Sequence, residues 1–316
     1  MTISQEASAP LVVVAGATGA QGGSIIKALT ESDKPYRIRG LTRDPSKPAS
    51  QSLARQGVEL VAVDVQPKNK DKVLKAFEGA KIVTLMTTTA VYTSKEREIE
   101  EGKMLIDCAK AANVELTIWS GLENMAAHSN GKYLKVDHFD SKAEVTEYAK
   151  KIGIRFVNVE AGGYMQNYVT FGAPQKQADG NYVFATPAAA DSVVPLLDAD
   201  NDYGIFVRKA IESPGATEIY AYGEVISHAD VVKQLSEITG KKVTYVQLTE
   251  EQYTKGATAS GLSEIAAKEF SDMYNAIAEF GYYGNKEIQS SLQGLVRKPR
   301  TWAEFVKATD WSQVLN

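Results

Sequence analysis

The chain reads as an α/β protein: a doubly wound, Rossmann-type parallel sheet with helices on both faces and a smaller α+β lobe toward the C-terminus. Three observations predict this. Short β-branched runs alternate with helical segments from residue 11 to about 160. A glycine-rich turn, Gly16-Ala17-Thr18-Gly19-Ala20-Gln21-Gly22, joins the first run to the first helix. After Val159 the alternation stops and turn residues take over.

Strands are expected at Leu11–Ala15, Tyr36–Thr42, Val58–Val63, Ile82–Met86, Leu116–Trp119 and Ile154–Val159. Helical spacing fills the gaps at 21–31, 47–56, 69–77, 94–112 and 138–151, crossovers long enough to make neighbouring strands parallel. Thr93-x-x-Glu96 reads as a capping box for the long fourth helix. The stretch from Gly162 to Pro195 is loop-rich. It is followed by a helix over 203–211, a strand over 218–222, helices near 228–239 and 249–280, and a last helix over 301–309. This divides the chain into a cofactor-binding domain, 1–160, and a substrate or partner lobe, 161–316, partly integrated with it.

With 316 residues, 44% of them apolar, the chain can bury a large core. Its net charge is −4, with both signs interspersed, which argues against nucleic acid or an anionic membrane as a direct partner. The densest basic knot, Arg297-Lys298-Pro299-Arg300, reads first as a solvated loop and second as a nuclear-import or phosphate-binding patch. The single cysteine, Cys108, permits no intrachain disulfide and lies on the expected apolar face of a helix. The polar start MTISQEASAP lacks a basic region followed by an apolar one. The chain therefore reads as cytoplasmic, with a nuclear location left open, and as a monomer or homodimer.

The spacing of Gly16, Gly19 and Gly22 has a mechanical reason. The first allows a tight turn, the second lets backbone amides approach a pyrophosphate, and the third lets the helix start close to the strand. Dinucleotide binding follows. At the end of the second strand, where an acidic residue would grip the ribose of NAD, stand Arg43 and Lys47, which favour the 2′-phosphate of NADP(H). Asp44 keeps a carboxylate near the same ribose. Asp64, with Val65 beside it, is placed for the adenine edge or for a plain turn. Thr87, Thr88 and Thr89, after the fourth strand, lie at the carboxyl edge of the sheet, either along a nicotinamide ribose or in an ordinary turn.

Short-chain dehydrogenase chemistry conventionally pairs a tyrosine with a lysine four residues later, because those positions share a helix face. Here His138 stands four residues before Lys142, so the lysine is present and the tyrosine is not. Ser120 follows the fifth strand, where a substrate-orienting serine would sit. Tyr133 and Tyr164 are the other candidate hydroxyl acids. Tyr164, Tyr168 and Phe171 are candidates for a flat pocket or for lobe packing. His138 is a proton donor or a histidine stacked on Phe139. His128 is expected to be exposed, and three scattered histidines suggest no metal site.

With GATGAQGG at 16–23, Thr42-Arg43-x-Pro45, SGLEN at 120–124, HFDxK at 138–142 followed by Glu144, Glu147 and Tyr148, and Tyr164-x-x-Asn167, the chain resembles the NmrA-like atypical short-chain dehydrogenases. The resemblance runs from residue 11 to about 310. It implies NADP(H) held by Gly16–Gln21, Arg43–Lys47, Asp64, Val65, Thr87–Thr89, Lys142 and the Gly162–Met165 loop (Gly162, Gly163, Tyr164, Met165). It also implies a family of transcriptional co-regulators and quinone reductases. The chain departs from the family pattern at Glu100, where a basic residue is expected, and at Glu160, while Gly162-Gly163 suggests a more open wall. The leading expectation is an NADP(H) sensor acting on a protein partner such as a transcription factor. The alternative is an NADPH-dependent reductase of quinones or conjugated carbonyls.

Overall fold

The computed structural model describes residues 3–87, 94–170 and 172–316. Its first half runs β1 (Leu11–Val14), α1 (Ala20–Thr30), β2 (Arg37–Thr42), α2 (Pro48–Arg55), β3 (Glu59–Ala62), α3 (Lys70–Phe77), β4 (Ile82–Leu85), α4 (Lys95–Ala111), β5 (Leu116–Trp119), α5 (Met125–His128), α6 (Asp137–Ile152) and β6 (Phe156–Ala161). Then come β7 (Gly163–Tyr164), β8 (Gln175–Lys176), β9 (Tyr182–Thr186), β10 (Val193–Leu197), α7 (Ala199–Glu212), β11 (Glu218–Ala221), β12 (Glu224–Ser227), α8 (His228–Thr239), β13 (Val243–Gln247), α9 (Glu250–Ala259), α10 (Glu264–Phe280) and α11 (Trp302–Ala308).

Seven strands form one sheet in the order β11-β6-β5-β4-β1-β2-β3, and every pairing in it is parallel. Alternation along β1 explains the two layers. Val12 and Val14 pack with Ile25, Leu29 and Phe206 on one face, while Leu11 and Val13 pack with Phe77, Leu105 and Trp119 on the other. Two three-stranded sheets, β12-β10-β7 and β13-β9-β8, stand apart from it. A third core, with Phe184 and Trp302 among its rings, fills this C-terminal region.

Several expectations change. The strand over 218–222 joins the main sheet beside β6, and α7 packs against α1 through Gly204, whose backbone N–H donates to Ser24 Oγ at 2.9 Å. Both elements come from beyond residue 160. The helix expected over 249–280 is two helices, broken at Gly261 (φ +102), with Ser263 capping the second. Ser94, accepting from the Arg97 amide at 3.2 Å, caps α4 in place of the expected Thr93, which lies outside the described residues. The short strands β9, β10, β12 and β13 give too little periodicity to stand out in a turn-rich stretch.

The basic knot is pinned by ion pairs. Arg297 Nη1 lies 2.5 Å from Asp202 Oδ1 and Arg300 Nη1 lies 2.9 Å from Asp198 Oδ2, both buried aspartates. Burial pushes the Cys108 thiol up to about 11, as its place in the core requires. Among the described residues, no helix is long and apolar enough to cross a membrane.

Candidate cofactor and catalytic site

The ends of successive parallel strands converge at the carboxyl edge of the sheet, and most of the expected site residues fall there. Gly16, at φ +60, makes the turn after β1, and a Cβ on Gly22 would overlap the Gly16 carbonyl. Gly19 is the N-cap of α1 and brings no side-chain cap, and no acidic residue stands in the first turn. The first-turn amides therefore have neither a side-chain cap nor an acidic residue in their own turn, the arrangement that suits a phosphate. Gly16, Thr18 and Gly19 are exposed and Ala20 is half-buried. Ala17 is fully buried, with its amide donating to Leu41 O at 3.1 Å.

Arg43 and Lys47 are exposed beyond β2, and neither has a salt bridge among the described residues. Asp44 is occupied locally. One of its oxygens accepts from both Ser46 N (2.9 Å) and Ser46 Oγ (2.6 Å), and these bonds hold its carboxyl below the usual range. Asp64 and Val65 are half-buried past β3, and the Asp64 carbonyl accepts from Asn69 Nδ2 at 2.8 Å. Thr87 is half-buried after β4, whereas Thr88 and Thr89 lie outside the described residues, as does Phe171.

The residue that organises this edge is one the sequence reading missed. Glu98, in the first turn of α4, is fully buried. It accepts from Thr87 Oγ1 at 2.7 Å and Ser141 Oγ at 2.6 Å, and it pairs with Lys142 Nζ. Its signal was present: Glu98, Gly102, Leu105 and Ala109 share one face of α4, so the pattern places a charge among core positions. Glu100, by contrast, is exposed. Ser120, after β5, accepts from Gln21 Nε2 at 2.9 Å, which ties the first turn of α1 to the SGLEN segment.

His138 and Lys142 lie on one face of α6. The His138 ring meets Phe139 edge-on at 4.9 Å, and its Nδ1 lies 2.6 Å from Glu269 Oε1 on α10. The same carboxylate oxygen accepts the His138 backbone amide at 2.9 Å. Glu269 also went unrecognised in the sequence.

Other expectations are corrected. Tyr133 donates to Glu279 at 2.6 Å and belongs to the packing of α10. Tyr164 borders the site, but burial raises its hydroxyl far above the ordinary tyrosine value, which makes it a poor acid. Met165 is fully buried in the lobe core, so its side chain offers a cofactor nothing, and Tyr168 packs there between Phe184 and Trp302. Gly162 does not open the wall: a Cβ there would stand 2.6 Å from the Pro195 carbonyl oxygen. Half-buried Gly163 pairs with Leu196. His128 is not free, since its Nε2 lies 2.8 Å from Glu123 Oε2.

Glu123, Glu160 and Glu218 form a second cluster, with oxygens within 4.8 Å of one another. Lys286 Nζ lies 2.5 Å from Glu123 Oε1 and 3.2 Å from Glu218 Oε1. Burial and then the nearby Glu123 charge push Glu160 well above the usual carboxylate value. A hollow of about 340 Å³ lies elsewhere, between Pro10, Arg37, Lys81 and Arg155. It sits at the amino-terminal ends of the strands, away from the convergence of loops, glycine turn and oriented side chains.

Residues 8–306 match the model of the NmrA-like family. An NmrA-like family domain-containing oxidoreductase of Malbranchea aurantiaca is 28% identical over 256 residues, 75% of each chain. The solved structure of NmrA, a negative transcriptional regulator in complex with NADP, is similar with a TM-score of 0.75 at 23% identity, covering 95% of this chain and 94% of that one. An NADPH-dependent quinone oxidoreductase of Escherichia coli complexed with NADPH gives 0.76 at 23% identity, covering 94% and 99%. At these identities the two solved structures speak for the fold alone.

Proposed function

This chain belongs to the NmrA-like family, and from that premise we propose that it is an NADPH-dependent reductase of quinones or conjugated carbonyl compounds. One observation carries the reading. His138 and Lys142, on a single face of α6, are each oriented by a buried carboxylate, Glu269 and Glu98 respectively. Holding a cofactor needs donors and shape. Fixing two proton-bearing side chains with desolvated anions is an arrangement for positioning reacting groups. That the Malbranchea relative is an oxidoreductase supports a redox role.

In this reading the glycine turn and the α1 amides take the pyrophosphate. Arg43 and Lys47 take the 2′-phosphate, and Lys142 hydrogen-bonds the nicotinamide ribose. When bound, the reduced nicotinamide supplies a hydride. An activated, conjugated acceptor suits a site where burial makes the bordering Tyr164 a weak acid. A second reading, cofactor sensing toward a protein partner, draws on the Gln21–Ser120 bond, through which occupancy of the glycine turn would be felt in residues 120–137.

Titration with NADPH, NADP⁺ and NADH, followed by tryptophan quenching, tests the cofactor. Arg43→Glu is expected to weaken NADPH binding roughly ten- to hundredfold, the effect of losing a charged hydrogen bond of about 1.5–3 kcal/mol, and to spare NADH. Unchanged NADPH affinity overturns the assignment. NADPH oxidation at the buffer blank across a panel of quinones and enones overturns the reductase reading and leaves the sensor.

A further inference from the structure

The geometry points to His138 and Glu269 as the proton-delivering pair of this site, with His138 Nε2 as the general acid for a substrate carbonyl oxygen and Glu269 as the residue that positions it. The inference rests on the reductase reading above and supplies the acid that the missing tyrosine leaves unnamed.

Four features support it. His138 occupies the position one helical turn before Lys142 where the family chemistry conventionally needs a proton donor. Glu269, brought across 131 residues by α10, holds both the ring Nδ1 (2.6 Å) and the backbone amide (2.9 Å) with one oxygen, so the amide anchors the carboxylate that fixes the ring. Phe139 at 4.9 Å and Phe270 at 6.0 Å complete the clamp. With Nδ1–H donated to the carboxylate, Nε2 points away from it and makes no hydrogen bond among the described residues, and the ring retains 14% exposure. This is the division of labour in which a carboxylate fixes the tautomer and the other nitrogen does the chemistry.

Burial pushes the Glu269 carboxyl up, but the hydrogen bonds and charge of His138, with a smaller contribution from Lys142, bring it below the usual range. It therefore stays ionised beside the ring. The other charges facing the pair are Asp137 on α6, Lys95 from α4, which lies 3.7 Å from Asp137 and 3.6 Å from Asp140, and Lys135 ahead of the helix.

The step balances simply. Bound NADPH would supply the hydride and be oxidised to NADP⁺; the acceptor carbon would gain a C–H bond, and the π pair would move onto the carbonyl oxygen. That oxygen takes the proton that breaks from His138 Nε2, and the neutral imidazole regains a proton from solvent.

The test has two arms, one independent of turnover. The chain has three histidines, so ¹⁵N-detected imidazole signals are assignable with one variant each. Glu269→Gln is expected to move the His138 imidazole away from the Nδ1–H tautomer, because the carboxylate that holds that proton is lost. An unchanged tautomer signature, with the fold intact by circular dichroism and NADPH still bound, overturns the pair. In the second arm, His138→Gln should lower kcat for a naphthoquinone or enone about a hundredfold, within the usual range for general acid catalysis, while KM for NADPH holds. A His138→Gln enzyme with the parent rate overturns the proposal. An inactive parent enzyme overturns the reductase reading, and with it the assigned reaction, while the tautomer signature still decides whether Glu269 governs His138.

Discussion

Two buried glutamates of the same α/β layer have opposite surroundings. Glu98 is saturated: two hydroxyls and the Lys142 ammonium donate to it, and the charges balance. Glu160 has Asn158 Nδ2 at 2.7 Å on one oxygen and, among the described residues, no hydrogen-bond partner on the other, and it shares its neighbourhood with Glu123 and Glu218 against Lys286. The first is surrounded by donors and holds the Lys142 side chain in place. The second carries more carboxylates than nearby lysines, so it keeps a proton that an isolated glutamate would give up. Burial alone therefore says nothing about a carboxylate's charge; the donors that accompany it decide.

Removing one partner from the saturated site tests this contrast most severely. Glu98→Ala leaves Lys142 unpaired in a pocket where it is 12% exposed, and is expected to cost about 3–5 kcal/mol in urea unfolding. A loss no larger than that of an exposed pair would show that the two sites are alike. Lys286→Met, at a lysine 35% exposed, is expected to cost less, about 1–2 kcal/mol after allowance for solvent screening, because Glu160 can hold its proton more tightly in compensation.

The smallest effect is expected from Glu160→Gln, and its sign is the informative part. The folded-state value of Glu160 is raised, so the native state binds the proton more tightly than the unfolded chain does. Its contribution is fully present below the ordinary glutamate range and is lost as pH rises toward the raised folded value. The glutamine variant lacks this loss. Its stability should match the parent at pH 4 and exceed it modestly at pH 8, by chemical denaturation at both pH values. A variant less stable than the parent at pH 8 would mean that Glu160 is ionised.

The parts of the site written as local patterns were legible in the sequence. The strand, glycine spacing and helix at 11–30 gave the turn and its uncapped amides, because both follow from backbone geometry over a few residues. The placement of Arg43 and Lys47 after β2 followed from strand length alone. Glu98 and Glu269 were not singled out, since a glutamate on an amphipathic helix is ordinary until its partner is known, and their partners stand 44 and 131 residues away. The same reason hid β9 and β13, which find each other across about sixty residues that hold three other strands and two helices.

By itself, then, the sequence determined the alternation of elements, the parallel sheet, the nucleotide-type turn and the lysine without its tyrosine. These depend on near-neighbour periodicity, steric freedom at glycine and the short reach of a helical turn. Tertiary structure alone decided which groups are oriented and which are spent. It gave Asp44 to its own turn, Tyr133 to α10, Met165 to a core, and the two carboxylates Glu98 and Glu269 to Lys142 and His138. Charge and proton occupancy depend on what packing brings within hydrogen-bond distance, and no spacing along the chain records that.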